Sequence, residues 1–107
     1  MASDKEFIEY ICDQIRGAGE IRYLKMFGEY MVYINDKPLL LVCDNIVYIK
    51  MLDVLKEDMT DAETGTPYTG AKAHYILDID NSEFALNIIN KLEAATPIPK
   101  PKKKKIK

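Results

Sequence analysis

Residues 21–50 read IRYLKMFGEYMVYINDKPLLLVCDNIVYIK, and the fold turns on how that stretch is parsed. Ile21–Met26, Tyr30–Ile34, Pro38–Cys43 and Ile46–Lys50 are short runs rich in β-branched, aromatic and aliphatic residues. Asn35-Asp36-Lys37-Pro38 and Asp44-Asn45 separate them with side chains that tolerate positive φ, which predicts tight hairpins. Pro38 has no amide to give to a ladder, so it belongs at the start of its strand. Gly28 lets the backbone bend or bulge where the first strand passes to the second. Four such strands in succession predict an antiparallel meander.

In that meander both sets of alternating positions are apolar. Leu39, Leu41 and Cys43 fall on one side, Leu40 and Val42 on the other; Ile46 and Tyr48 likewise oppose Val47 and Ile49. An antiparallel sheet with one wet face normally alternates apolar with polar. The second face therefore needs cover, from sheet curvature, from the loop at 64–72, or from another copy of the chain. A homodimer using this face, with Tyr23, Tyr33 or Tyr48 near its edge, is one expectation. A sheet curled tightly enough to cover itself is the other.

Outward from the meander the period changes to helical. Ser3-Asp4-Lys5-Glu6 is a capping box, and Phe7, Ile8, Ile11, Cys12 and Ile15 follow on one face, predicting a helix over about 3–16. Gly17-Ala18-Gly19 offers the left-handed residue that ends it. Residues 52–63 are acidic, with Leu52 and Leu55 as anchors of a short helix. Residues 65–70 read as a loop, Ala73–Leu77 as a fifth strand. Asp80-Asn81-Ser82 then caps a last helix over about 82–94, whose Phe84, Ile88, Ile89 and Leu92 form an apolar stripe. The expected fold class is α+β: two layers, an antiparallel sheet of about five strands with the N- and C-terminal helices on one face. Residues 1–95 make the domain. Residues 96–107, rich in proline and lysine, read as a disordered basic tail.

Composition narrows the function classes mainly by exclusion. A chain of 107 residues has room for one domain, which can bury about 65% of its unfolded surface without metal or disulfide staples. No leader-like or membrane-length apolar run is present, so the expected location is the cytoplasm, with no membrane contact. Cys12 and Cys43 lie within apolar patterns and read as plain core thiols. The net charge of −2 divides sharply. The tail holds six lysines and no acid, leaving nine basic and seventeen acidic residues in the body, a net of −8.

No catalytic constellation stands out, and no cofactor or metal is expected. The single histidine, His74, opens a strand, and both serines, Ser3 and Ser82, sit at helix N-caps. A Cys43–His74 pair on neighbouring strands is conceivable, with a half-exposed structural histidine the simpler reading. Nitrogen and sulfur ligands are too few for zinc. Residues 78–83 imitate a calcium loop but place Glu83 where glycine belongs, so their carboxylates fit better at the positive end of the last helix. No phosphate-loop fingerprint exists. Lys100, Lys102, Lys103, Lys104, Lys105 and Lys107 are the one concentrated positive charge. They support a second reading, an accessory nucleic-acid-associated protein that binds polyanions weakly through its tail.

One resemblance adds a lead. Lys25, Met26, Phe27, Gly28 and Tyr30 form a Lys-Met-Phe-Gly-x-Tyr core. Then come the Asp44-Asn45 turn, a strand ending in Lys50, and Pro67-Tyr68-Thr69-Gly70-Ala71-Lys72. The combination resembles the TfoX (Sxy) N-terminal domain family, over nearly the whole chain. Ala73 departs from it, where proline is common. The resemblance implies a two-layer fold akin to secretion-chaperone-like domains. It also implies a non-enzymatic regulatory or protein-interaction role, since longer members act as transcriptional co-activators of competence beside the cyclic-AMP receptor protein. A transcription regulator is then the implied partner class.

Overall fold

The computed structural model describes residues 5–26 and 29–96. The Ser3 capping box, the Phe27–Gly28 bend and the lysine tail lie outside these residues. Helix α1 spans Lys5–Gln14, buries Ile8 and Ile11, and hands over through Ile15 to Gly17 and Gly19, at φ +102° and +145°. The left-handed exit expected of the Gly-Ala-Gly run is therefore present.

Four strands follow as read: β1 (Ile21–Met26), β2 (Glu29–Ile34), β3 (Lys37–Cys43) and β4 (Ile46–Ile49). Asn35 and Asp36 stand at φ 54° and 67°, and Asp44 and Asn45 at 54° and 59°, so both two-residue hairpin turns have the twist that matches their strands. A 3₁₀ turn at Asp53–Leu55 buries Leu55, while Leu52 packs against the core. The short helix expected over 52–63 is confined to this one turn.

Two strands complete the sheet: β5 (Thr64–Gly65) and β6 (His74–Ile76). All pairings are antiparallel in the order β1-β2-β3-β4-β6-β5. Among the described residues the sheet thus has six strands rather than about five. The extra one is two residues long, too short to carry a period, and exists because Glu63 accepts the Ile76 amide beside it. The last helix, α2, spans Ser82–Ala95. Asn81, not Ser82, is its cap: Asn81 Oδ1 accepts the Phe84 amide at 3.1 Å. Ser82 Oγ instead donates to the Gln14 carbonyl at 2.6 Å, and Gln14 Nε2 donates to the Ile79 carbonyl at 2.9 Å, fastening the two helices end to end.

Both helices lie on one face. Ile8, Ile11 and Ile15 meet Ala85, Ile88, Ile89 and Leu92 over Val32, Ile34, Leu40, Val42 and Ile49 in a single core. Each such fully buried aliphatic side chain contributes about 1.5–3 kcal/mol. Between Val32↔Leu40 and Tyr33↔Pro38 the pairing slips by one residue, leaving Leu39 as the extra residue of a β-bulge. Pro38 thus sits next to the bulge and one residue into its strand. Among the described residues no helix is long and apolar enough to cross a membrane.

Candidate functional site

The face turned away from the helices carries a continuous apolar row. Register places Leu24 opposite Met31, Met31 opposite Leu41, Leu41 opposite Tyr48 and Tyr48 opposite Ile76. Directly paired residues in antiparallel strands share a face, so these five cross five adjacent strands side by side. Among the described residues no helix covers them. Leu24, on edge strand β1, is 46% exposed; Met31, Leu41 and Ile76 are half-buried and Tyr48 is buried. Tyr33 borders the row, with the Arg22 guanidinium 4.5 Å from its ring centroid.

A cleft of about 300 Å³ opens beside the middle of this row. Met31, Leu39, Leu41 and Tyr48 line it from the sheet, and Tyr68, Ala71 and Lys72 line it from the 67–72 loop. Lys50 and His74 complete its rim; Lys50 and Lys72 are exposed, and no acidic residue lines it among those described. His74 is held in place. Its Nδ1 lies 2.8 Å from the Lys72 carbonyl, which can only accept, so Nδ1 carries the proton, and its ring meets Tyr48 edge-on at 6.4 Å.

Several expected placements change. Tyr33 and Tyr48 do belong to this face, but Tyr23 pairs with Val32 on the helix side, where it lines a groove with Cys12 and Arg16. Cys43 and His74 do not meet, because β4 with Tyr48 stands between their strands. Burial, then a hydrogen bond to Glu29, pushes the Cys43 thiol up to about 12, which keeps it protonated and unreactive. Of the family-motif residues, Lys25 is exposed on β1 opposite Tyr30, Tyr30 is buried in the core, and Met26 ends β1. Phe27, Gly28 and the six tail lysines lie outside the described residues.

A larger groove of about 640 Å³ lies over Phe7, Met59 and Leu77, rimmed by carboxylates. Several have structural partners. Asp58 pairs with Lys91 at 2.5 Å, Asp80 accepts from the Tyr10 hydroxyl at 2.6 Å, and Asp78 accepts the Asp80 amide at 3.1 Å. Among the described residues no three His, Cys, Asp or Glu side chains converge to hold a metal ion.

The apolar row was half legible in the sequence. Alternation of apolar residues on both sides of β3 and β4 announced a second face in need of cover, and the 64–72 loop was one of the three covers expected. Residues 67–72 do border the cleft, but which side chains they would bring there was not legible. No local signal encodes which of them face the sheet.

No family model matches the chain. A protein of Spirochaeta aurantia, described as an uncharacterised 12.7 kDa protein in the trpE 5′ region, is 33% identical over 109 residues, covering 100% of this chain and 95% of that protein.

Proposed function

The chain belongs to one family with that Spirochaeta aurantia protein, and from this premise we propose that it is a non-enzymatic regulatory or protein-interaction domain of the TfoX N-terminal type. The observation that carries the reading is the row Leu24–Met31–Leu41–Tyr48–Ile76 on the face away from the helices, with Leu24 exposed and Met31, Leu41 and Ile76 half-buried. Apolar side chains left partly open to water side by side are characteristic of contact faces. Two segments that carry the TfoX resemblance, the strand ending in Lys50 and the 67–72 loop, meet at the cleft beside that row, which supports the same reading. The thiol that would be the simplest nucleophile is held neutral.

The partner is a transcription regulator or RNA polymerase, and the chain itself pairs as a homodimer through the Leu24 end of the row, on edge strand β1. A tagged full-length chain retrieves the regulator or polymerase at moderate salt, whereas Met31→Glu with Leu41→Glu does not. Light scattering gives the mass of two chains for the wild type and of one for Leu24→Glu. Equal recovery of the same partner by wild type and double variant overturns the contact-face reading, and a wild-type monomer at high micromolar concentration removes the dimer. The lysine tail, the alternative contact for nucleic acid, is separable: heparin retention at low salt that is unchanged after removal of residues 100–107 refutes it.

A further inference from the structure

The cleft beside the apolar row has a chemistry of its own, and we infer that it receives an acidic, apolar segment of a partner protein: one large aliphatic or aromatic side chain flanked by carboxylates. This rests on the interaction reading above and names the partner's chemistry. Shape comes first. At about 300 Å³ the cleft sits at the lower bound of ligand-sized pockets, room for one bulky side chain and its neighbours rather than for a folded surface. Its inner lining is apolar, with Met31, Leu39 and Leu41 on the sheet side. Met31 adapts to different occupants because its side chain is unbranched and polarisable.

Charge decides the rest. The body is strongly acidic, yet this cleft is lined by Lys50, Lys72 and His74 and by no carboxylate among the described residues. Two exposed ammonium groups beside an apolar floor favour a segment whose bulky side chain fills the floor while its carboxylates reach the lysines. Tyr68, 55% exposed on the loop side, supplies an aromatic wall with a hydroxyl that can bond to a peptide backbone. His74 contributes shape: its proton is committed to the Lys72 carbonyl, which ties the lysine-bearing loop to β6. A basic segment would meet like charge and be rejected.

The test uses a random heptapeptide library displayed on phage and selected against the full-length chain. Enriched sequences should place one Leu, Phe or Met between Asp or Glu residues. The most enriched peptide, synthesised with a fluorophore, should lose at least tenfold in affinity, read by anisotropy, with Lys50→Glu/Lys72→Glu. That variant should select Lys- or Arg-flanked peptides instead. Lys50→Gln/Lys72→Gln serves as the milder variant should charge reversal disturb folding, and wild-type affinity should fall as salt rises. Enriched peptides without acidic bias, or affinity unchanged by both lysine pairs of variants, overturn the inference. The two readings fail differently. A regulator lost with Met31→Glu and Leu41→Glu but indifferent to the lysine variants leaves the contact face standing and removes only the cleft chemistry.

Discussion

Lys37 Nζ stands 3.0 Å from Glu93 Oε2 and donates to the Glu93 main-chain carbonyl at 2.8 Å. One ammonium thus ties the β2–β3 hairpin to the last turn of α2, which has no basic residue of its own to meet its free carbonyls. Hydrogen bonds from Lys37, then from Asn35, hold the Glu93 carboxyl below its ordinary value of 4.5. A carboxyl depressed on folding adds stability above its unfolded value, and that stability drains away as pH falls through the folded value. Thermal melts from pH 7 down to pH 3 should therefore show the wild type losing stability, relative to Glu93→Gln, in the acid range below about 4.5. Parallel curves for the two proteins would refute the linkage.

Gly19 marks a close approach. A Cβ added there would come within 2.7 Å of the Asn35 side-chain amide, at a backbone φ of +145°. That amide cannot swing aside freely, since its Oδ1 accepts the Glu20 amide at 2.9 Å. Gly17, at φ +102°, has nothing within 4 Å. Gly17→Ala should then cost about 1–2 kcal/mol, from the left-handed backbone alone. Gly19→Ala should cost more, by roughly 1–3 kcal/mol of strain. Replacing Asn35 by glycine should shrink that extra cost in a double-mutant cycle by urea unfolding.

The raised Cys43 thiol makes a kinetic prediction. A value near 12 against an ordinary 9.0 leaves about a thousandfold less thiolate at pH 8. The half-buried Cys12 is also raised, by burial first and then by Glu9. Titration with Ellman's reagent at pH 8 should show both thiols reacting slowly in the folded chain and rapidly in denaturant. A fast single-thiol phase in the folded chain would contradict this environment and reopen a nucleophilic role.

Much of the scaffold was legible because its signals are local. The Asn35-Asp36 and Asp44-Asn45 turns announce themselves by side chains suited to positive φ, and the α1 and α2 stripes by spacing. What escaped was non-local. Tyr23 and Tyr33 both read as strand tyrosines, and only the register Tyr23↔Val32 assigns the first to the helix side. The Thr64–Gly65 strand is defined by the edge it joins rather than by its own residues. The Lys50–Lys72–His74 rim depends on where a loop lands.

The bulge at Leu39 separates two single-residue deletions that the sequence alone would rank alike. On one side of it Val32 faces Leu40, and on the other Tyr33 faces Pro38 and Ile34 faces Lys37. Residues 39–41 are all leucine, so removing any one of them yields the same chain, which can pair β3 with β2 in one unbroken register, one leucine facing Met31 and the other Val32. Strand β2 has no extra residue to give up: removing Met31 shifts Glu29 and Tyr30 by one place against Val32 and turns Tyr30 out of the core, because side chains alternate with a period of two. Deletion of one leucine should therefore leave a folded domain, weakened by roughly 1.5–3 kcal/mol for the loss of one buried leucine. The Met31 deletion should have collapsed amide dispersion in its ¹H–¹⁵N spectrum and no cooperative melt. Equal damage from both deletions would show that the bulge is required for the sheet to close over its core, through the extra twist it imposes on β3.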